Sequence, residues 1–402
     1  MLSELPRPDA SALQHSAALA VHIKERITAA GGWISFADYM DLALYAPGQG
    51  YYSAGALKLG AEGDFVTAPE ISPLYSRCLA GQCAEVLAGL NNSNSVVLEL
   101  GAGSGVMAVD MLLEFERLDQ LPAEYLILEP SADLRARQAA LLKEQAAHLQ
   151  SRVRWLDGPP EQPIQGVIVA NEVADALPVE RFVIENEGIA ELGVVTKGNS
   201  FAADTRPASG GLRDAVESLQ SEFGLLTVPG YTSELSLRLP AWIALLSDWL
   251  REGVVLLFDY GYSRREYYLP ERSNGTLRCY YRHRAHEDPF VWPGLQDITA
   301  WVDFSRLADA ALEAGMEVVG YTTQAQFLLA AGLDKQFTAE TKKYSDAGKS
   351  PGNPQVQVEL AHALRQLILP GEMGESVKVM ALRKGVAVTP TAMSGRDMRS
   401  AL

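Results

Sequence analysis

The stretch Val96-Val-Leu-Glu-Leu-Gly-Ala-Gly-Ser-Gly105 joins an apolar, β-branched run directly to three closely spaced glycines. Residues 106–117 then repeat apolar side chains at helical spacing, so the sequence predicts a strand, a tight turn and a helix in succession. Glycines let a backbone approach a ligand closely, and the N–H groups at the start of a helix attract electron-rich groups. The turn is therefore the first candidate ligand site in this chain.

The spacing of the glycines indicates which ligand the turn holds. A dinucleotide-binding turn of the form GxGxxG that starts at Gly101 needs its third glycine at position 106, which is Val106 here. The third glycine is Gly105 instead, and Glu99 stands two residues before the turn. This pattern is typical of S-adenosylmethionine (SAM) sites, which hold an amino acid and a ribose rather than a pyrophosphate. The predicted SAM-binding residues of this stretch are Glu99, Gly101, Ala102, Gly103 and Gly105.

Short β-branched runs alternate with longer amphipathic stretches after position 95, a pattern typical of an α/β fold with a parallel sheet covered by helices. The predicted strands are residues 96–100, 125–129, 153–156, 166–170, 254–259, 316–321 and 377–382. Ser131 is a candidate N-cap for a helix over 131–150, and Pro370-Gly371 ends a second predicted helix near 355–369. Alternating residues in 181–185 and 191–195 predict a β excursion outside this pattern.

Acidic residues follow the second and third predicted strands. Glu129 is placed to accept hydrogen bonds from both ribose hydroxyls of a nucleoside, and Asp157 is placed to face the adenine ring. A carboxylate at a strand end also serves to cap the helix that follows, and this structural alternative stays open for both residues. We assign both to the SAM site.

The fourth predicted strand ends in Asn171-Glu-Val-Ala-Asp-Ala-Leu-Pro178, at the sheet edge where open α/β folds bind ligands. This chain lacks the Asn/Asp-Pro-Pro-aromatic element that methyltransferases of exocyclic base amines commonly place here. Glu172 and Asp175 are instead suited to hold a cationic acceptor through charge-assisted hydrogen bonds. We predict catalytic roles for Asn171, Glu172 and Asp175, with Asn171 also close to SAM, while local capping and amide contacts are the structural alternative.

Charge and composition narrow the range of partners. The chain carries 34 Lys and Arg against 50 Asp and Glu, and its net charge of −16 argues against nucleic acid and favours a basic acceptor. The three cysteines have no paired ligand spacing, and His283 and His286 have no cysteine partners nearby, so we predict no metal site. No apolar run approaches the about 20 residues that span a bilayer, and the N-terminus shows no targeting segment. We expect a soluble, cytoplasmic protein.

Several further segments complete a resemblance that covers nearly the whole chain. They are Gly50-Tyr-Tyr52, Gly63-Asp-Phe-Val-Thr-Ala-Pro-Glu70, Leu98-Glu-Leu-Gly-Ala-Gly-Ser-Gly105, Asn171-Glu172 with Asp175-Ala-Leu-Pro178, Asp259-Tyr-Gly261, Asp297-Ile-Thr299 with Val302-Asp-Phe304, and Glu372-Met-Gly374. With these motifs together, the sequence resembles the MidA-like methyltransferases, whose mitochondrial branch is a respiratory complex I assembly factor.

The resemblance implies a class I, Rossmann-like methyltransferase: a seven-stranded, mostly parallel sheet with a reversed terminal strand, and SAM as methyl donor. For the mitochondrial branch it also implies a protein arginine as acceptor, so a respiratory-complex subunit is the expected partner. The motifs add Thr67, Pro69 and Glu70 to the SAM site, and Asp259, Tyr260, Asp297 and Thr299 to an acceptor site with Glu172 and Asp175. The family usually has aromatic residues where this chain has Val173 and Ala174, a departure that affects the acceptor pocket.

The same reasoning divides the chain into regions. We expect 1–95 to form a helical extension that contributes to the active site, and 96–384 to form the methyltransferase core. The core carries inserted substrate-binding elements at about 179–230, 262–300 and 323–370, and 385–402 is a C-terminal tail. Two alternatives stay open: a methyltransferase with a small-molecule or other acceptor, and a SAM-binding assembly factor without turnover. The oligomeric state is also open, and a homo-oligomer is among the alternatives.

Overall fold

The computed structural model describes residues 5–53, 66–90, 92–346 and 354–402. The chain divides into two compact units, which we name the accessory unit and the core unit. The accessory unit comprises Met1–Phe65, Ala174–Trp242 and Tyr262–Arg306, and the core unit comprises Val66–Val173, Ile243–Gly261 and Leu307–Leu402. The beginning of one sequence motif, Gly63-Asp-Phe65, lies outside the described residues.

A mostly parallel sheet forms the centre of the core unit. Along its hydrogen-bonded path the strands are Glu317–Thr323, Val377–Lys384, Leu250–Tyr262, Ile164–Asn171, Val96–Leu100, Tyr125–Leu128 and Val153–Leu156. The strands from Leu250–Tyr262 to Val153–Leu156 are parallel, whereas Val377–Lys384 runs antiparallel to both of its neighbours. The predicted α/β class and the reversed last strand are confirmed.

The number of strands differs from the expected seven. The sheet has an eighth strand, Val302–Asp303, beside the main path. This strand has two residues, which is too short for any hydrophobic period, so the sequence carries no strand signal there. The central strands Val96–Leu100 and Ile164–Asn171 coincide with apolar, β-branched runs, because strands that are buried on both faces need such residues at nearly every position.

The strand order reverses at Val96–Leu100. The chain continues from this strand to Tyr125–Leu128 on one side and later to Ile164–Asn171 on the other. In open α/β sheets, ligands bind beyond the carboxyl ends of the strands at such a switch point, because the connecting segments diverge there and leave a crevice. The glycine turn after Leu100 therefore lies at the ligand end of the sheet.

Helices cover the sheet of the core unit and bury its apolar residues. A hydrophobic cluster joins the sheet to Pro73–Gly89, Val106–Arg117 and Gln324–Ala330. Ser131 caps Ala132–Gln145 as predicted, since its side chain accepts a hydrogen bond from the N–H of Leu134. Further helices are Ala68–Ile71, Leu239–Trp249, Phe304–Glu313, Leu333–Asp346, Pro354–Ile368 and Met373–Ser376, with 3-10 turns at Ala147–Arg152, Thr391–Ser394 and Arg399–Ala401.

The accessory unit contains two antiparallel sheets. The larger has the path Ile34–Ser35, Gly188–Lys197, Glu180–Glu185 and Thr232–Leu235, with Ser200–Pro207 beside Gly188–Lys197. The smaller consists of Arg284–His286, Arg278–Tyr281 and Asp297–Thr299. The helices of this unit are Ala10–Ala29, Phe36–Tyr45, Gly210–Phe223 and Arg264–Tyr267, with a 3-10 turn at Pro270–Arg272. The predicted β excursion at 181–185 and 191–195 is confirmed.

Across the described ranges, no helix combines the length and the apolar character needed to cross a bilayer.

Candidate functional site

Three left-handed residues form the turn that follows Val96–Leu100. Gly101, Gly103 and Gly105 have φ angles of +63°, +54° and +88°. A side chain at such angles costs roughly 1–2 kcal/mol, because its Cβ atom approaches the following carbonyl oxygen too closely. The backbone itself therefore requires glycine here. Helix Val106–Arg117 begins directly after the turn, so its first N–H groups lie beside the same backbone.

A buried glutamine holds the turn in place. Gln138 donates a hydrogen bond from Nε2 to the carbonyl of Gly103 at 2.9 Å, and its Oε1 accepts one from Trp155 Nε1 at 2.8 Å. A Cβ atom on Gly105 would lie 3.0 Å from Gln138 Cγ, so this glycine also gives room to the glutamine. Gln138 was not among the site residues predicted from the sequence. Its position four residues after Leu134, on the apolar face of the helix, was the available signal.

Glu99 places a carboxylate in the core directly before the turn. Its Oε2 atom accepts a hydrogen bond from the hydroxyl of Tyr125 at 2.7 Å, and the side chain is buried. Within the described part of the chain, its Oε1 atom is buried without a hydrogen-bond partner. Burial raises the pKa of Glu99, the Tyr125 hydrogen bond lowers it, and the charge of Glu129 raises it, which together give a pKa of about 7. Glu99 is thus a buried acid with one oxygen available for a donor.

Glu129 lies at the end of the neighbouring strand and is also buried. Its Oε1 atom accepts the N–H of Ser131 at 2.9 Å, and Gln138 Nε2 lies 3.4 Å from its Oε2 atom. Burial raises the pKa of Glu129, and these hydrogen bonds oppose that shift. The side chain therefore makes the local cap that the sequence left open as an alternative. Its predicted contact with the ribose stays a prediction.

Asp157 differs from the two glutamates because its side chain is 97% exposed. Arg135 Nη1 lies 2.6 Å from Asp157 Oδ1, and the same guanidinium donates to the carbonyls of Glu129 and Leu156. An exposed ion pair contributes little to stability, but the carbonyl contacts of Arg135 fix two strand ends relative to each other. The predicted contact of Asp157 with the adenine stays a prediction.

The segment before helix Pro73–Gly89 reaches the glycine turn. Thr67 precedes the short helix Ala68–Ile71, in which Pro69 is buried. Glu70 Oε1 accepts a hydrogen bond from the hydroxyl of Ser104, the residue inside the turn. The structure therefore brings the predicted residues of this motif together with the turn, although about thirty residues separate them along the chain.

Glu172 has an unusual backbone conformation at the end of strand Ile164–Asn171. Its φ angle is +53°, in the left-handed region that residues other than glycine seldom adopt. Its N–H donates to the carbonyl of Phe258 at 2.8 Å, which holds this conformation. Its Oε1 atom lies 3.4 Å from both Ala68 N and Asn171 Nδ2. A strained backbone conformation persists where the surrounding contacts enforce it, and such residues are found most often at functional sites.

Asn171 and Asp259 complete this edge of the core unit. The hydroxyl of Tyr75 donates to Asn171 Oδ1 at 2.6 Å. Asp259 is buried and accepts the N–H of Val173 at 3.2 Å and the N–H of Tyr260 at 2.9 Å. Because Ile164–Asn171 and Leu250–Tyr262 are adjacent parallel strands, their ends bring these predicted site residues together.

Val173, one of the two departures from the family pattern, packs against the turn. Its Cγ2 atom lies 3.5 Å from the position that a Cβ atom on Gly101 would take. An aromatic side chain at this position would have to occupy a different space. This departure therefore changes the surroundings of the turn as well as those of the acceptor residues.

The other acceptor candidates lie in the accessory unit. Asp175 and Asp297 are buried, as is Thr299 in the strand Asp297–Thr299. Asp297 Oδ1 accepts hydrogen bonds from the hydroxyl of Tyr52 and the N–H of Ile298, each at 2.9 Å. The carbonyl of Asp175 accepts the N–H of Ala300 at 2.9 Å. The structure thus places these three candidates on one part of the accessory unit.

Comparison with known proteins shows the family. Residues 78–322 match the family model described as "Putative S-adenosyl-L-methionine-dependent methyltransferase". The chain belongs to this family. SAM is accordingly the cofactor of this methyltransferase.

Similar proteins cover most of the chain. "Protein arginine methyltransferase NDUFAF7, mitochondrial" of Danio rerio is 30% identical, and the match covers 88% of this chain and 84% of that protein. The Homo sapiens protein of the same name is 27% identical over 90% of this chain and 82% of its own length. A Burkholderia thailandensis crystal structure bound to S-adenosyl-homocysteine is 40% identical with a TM-score of 0.91, covering 99% of this chain and 100% of that one. The α/β methyltransferase fold is therefore shown.

The residues of the core unit fit this cofactor. SAM carries an ammonium group and two ribose hydroxyls, which are the donors that a buried carboxylate with an available oxygen requires. Glu99 and Glu129 are buried carboxylates at the ends of the adjacent strands Val96–Leu100 and Tyr125–Leu128, and the glycine turn has no side chains at three of its positions. These features agree with the assignment from the family.

We predict that Gly103→Val abolishes SAM binding and leaves the fold largely intact. A β-branched residue at a φ of +54° is strained, and its side chain would occupy space beside the turn. Calorimetric titration with SAM measures the loss, and circular dichroism checks the fold. Gly371→Val is the control, because a Cβ atom there meets nothing within 4 Å. Unchanged SAM affinity in a folded Gly103→Val protein would contradict the assignment.

We predict that Glu129→Ala weakens SAM binding by about 1–3 kcal/mol, the usual range for a lost charge-assisted hydrogen bond. The change also removes the cap on Ser131, so the melting temperature should fall. Glu129→Gln retains an acceptor for that cap and isolates the effect on SAM affinity. If SAM binds both variants as tightly as wild type, the role of Glu129 is confined to capping.

We predict that Glu99→Gln weakens the dependence of stability on pH in the absence of SAM. Because the folded-state pKa is raised from 4.5 to about 7, folded wild type keeps a proton that the unfolded chain releases across this window. Wild-type stability therefore falls as pH rises through it, by at most on the order of 3 kcal/mol. Glutamine has no such proton, so its melting temperature should change less between about pH 5 and about pH 8. Identical pH profiles would show that Glu99 does not titrate as inferred.

Proposed function

We propose that this methyltransferase transfers the methyl group of SAM to an arginine side chain of a protein acceptor. The observation that carries the proposal is the 30% identity, over 88% of this chain, to a protein named as a protein arginine methyltransferase. The carboxylates at the acceptor positions support it, because a guanidinium is bound best by planar, bidentate carboxylate partners.

The proposed donor site is the glycine turn with its surroundings. SAM supplies a methyl group bonded to a positively charged sulfur. The residues that would hold it are Glu99, Gly101, Ala102, Gly103, Gly105, Glu129, Asp157, Asn171, Thr67, Pro69 and Glu70. Methyl transfer is an in-line displacement, so the chain chiefly has to position donor and acceptor and needs no covalent intermediate.

Glu172 is the proposed acceptor-orienting residue, with Asn171 and Asp175 in supporting catalytic roles. Its backbone is fixed by the hydrogen bond to Phe258, and its carboxylate lies beside the N–H of Ala68. A carboxylate held in this way can orient a guanidinium and stabilise its positive charge without reorganising during the reaction. Asp259, Tyr260, Asp297 and Thr299 are proposed to contact the rest of the acceptor.

The acceptor protein that we propose is a respiratory-complex subunit. The resemblance to the mitochondrial branch of the family supports this, and the net charge of −16 favours a basic protein segment over nucleic acid. A cytoplasmic location is the remaining part of the proposal, and the oligomeric state stays open.

Mass spectrometry of arginine methylation, in proteomes with and without this gene, tests the function directly. We expect at least one arginine site that loses its methyl groups with the gene and regains them when purified protein and labelled SAM are added. Label found only on small molecules would favour another acceptor class. SAM binding without any transfer of label would favour an assembly factor without turnover, and either result would contradict the proposal.

We predict that Glu172→Gln retains SAM binding and loses most methyl transfer. Glutamine keeps the size of the side chain but cannot offer a carboxylate to a guanidinium, so orientation of the acceptor suffers more than folding. Turnover with labelled SAM and SAM affinity by calorimetry are measured together, and thermal melting excludes a folding defect.

Glu144→Gln is the matched control, because Glu144 is an exposed residue of helix Ala132–Gln145. We expect this variant to transfer methyl groups at the wild-type rate. A folded Glu172→Gln protein that binds SAM and also transfers methyl groups at that rate would show that Glu172 does not orient the acceptor.

A further inference from the structure

Two tyrosine rings stack face to face in the accessory unit. The ring centroids of Tyr45 and Tyr52 are 5.6 Å apart, with 20° between their planes. Tyr45 ends helix Phe36–Tyr45, and the chain then folds back on the helix so that the N–H of Tyr52 donates to the carbonyl of Leu44 at 2.8 Å. Gly50 permits this return, since a Cβ atom there would lie 2.6 Å from the Leu44 carbonyl. We call Tyr45 and Tyr52 the tyrosine pair.

Hydrogen bonds at the hydroxyl ends fix both rings. The hydroxyl of Tyr52 donates to Asp297 Oδ1 at 2.9 Å, and that of Tyr45 donates to the carbonyl of Ala176 at 2.8 Å. Tyr45 and Tyr52 are each half-buried as whole residues. The tyrosine pair is therefore a rigid aromatic surface whose side chains lose little further freedom when a ligand packs on them.

The surroundings of the tyrosine pair are negative. Burial raises the pKa of Tyr45, and the charges of Asp297, Asp175 and Asp41 raise it further, while Arg238 lowers it. Burial also raises the pKa of Tyr52, and the charges of Asp297 and Asp175 raise it further. Arg238 is itself bound to Asp41 at 2.5 Å. Asp297 and Asp175 therefore place negative charge beside the tyrosine pair.

The same unit shows how this chain binds a guanidinium. The Arg272 guanidinium lies over the ring of Tyr262, 3.8 Å from its centroid, and 5.4 Å from the centroid of Trp301. A planar guanidinium stacks on an aromatic face and donates in its own plane to carboxylates at the same time. An ammonium lacks the planar face, and a neutral urea lacks the charge.

We propose that the tyrosine pair, with Asp175 and Asp297, is the recognition site for the acceptor's guanidinium side chain. The inference rests on the proposed function and deepens it, because it assigns recognition of the side chain to residues of the accessory unit. Tyr45 and Tyr52 supply the stacking surface, and Asp297 both orients Tyr52 and attracts the cation. Neither tyrosine was among the acceptor residues that the sequence predicted.

Binding of a minimal probe to the full chain tests this site. Nuclear magnetic resonance titrations with N-acetylarginine amide, and with the citrulline analogue that has the same shape and no charge, measure saturable binding. We expect the arginine probe to bind about tenfold or more tightly than the citrulline probe, as one cation–π contact with a carboxylate partner would give. Equal binding of the two probes, or no saturable binding of the arginine probe, would overturn the proposal.

Variants then locate the binding. Tyr52→Leu removes one ring and Asp297→Asn removes one charge, and each should weaken arginine binding about tenfold while SAM affinity stays unchanged. Asp204→Asn, at an exposed position of the accessory unit, is the matched control and should bind as wild type does. If Tyr52→Leu fails to fold, Tyr52→Phe replaces it, because phenylalanine keeps the ring and loses only the hydrogen bond from the hydroxyl to Asp297. Tyr52→Phe should lose less affinity for the arginine probe than the tenfold expected for Tyr52→Leu. Wild-type affinity in all folded variants would overturn the site.

The same variants separate this inference from the proposed function. If Tyr52→Leu and Asp297→Asn methylate arginine with unchanged KM, the tyrosine pair is not the recognition site although the function stands. If no arginine is methylated by wild type while the arginine probe binds and the variants weaken it, the site stands as a guanidinium site and the proposed function fails.

Discussion

The core unit depends on a backbone that passes through three left-handed residues between a buried strand and a helix. Glycine at 101, 103 and 105 removes the steric cost of these angles, and it also leaves the backbone open to a ligand. Two side chains hold this turn: Gln138 donates a hydrogen bond to the carbonyl of Gly103, and Glu70 accepts a hydrogen bond from the hydroxyl of Ser104. Because the turn lies at the switch point of the sheet, the strand order that defines the fold also places the turn at the ligand end of the sheet.

Burial of carboxylates is the second constraint. Glu99 and Glu129 are buried beside the turn, and burial raises the pKa of both. Each has one oxygen engaged at a distance below 3 Å, to Tyr125 or to Ser131, which offsets part of the desolvation cost. A ligand with an ammonium group and hydroxyls would offset more of it, so binding of SAM and stability of the folded chain should be coupled.

Much of this could be predicted from the sequence, because buried parallel strands require continuous apolar runs and the glycine spacing is specific. The strand Val96–Leu100 and the helix Val106–Arg117 lie where the pattern predicted them. Other features depend on contacts between distant segments and leave no local signal. The left-handed angle of Glu172, held by the Phe258 carbonyl, is one, and the stacking of Tyr45 on Tyr52 is another. The two-residue strand Val302–Asp303 is too short to show any period.

We assign SAM to the glycine turn of the core unit. Hydrogen exchange of the full chain with and without S-adenosyl-homocysteine tests this assignment. The amides of residues 101–106 should exchange more slowly with the ligand, and those of Glu129 and Ser131 should follow, because Glu129 accepts the N–H of Ser131. Exposed segments such as Ser200–Pro207 should exchange at the same rate in both samples. Slowed exchange that spares residues 101–106, Glu129 and Ser131 would contradict the account.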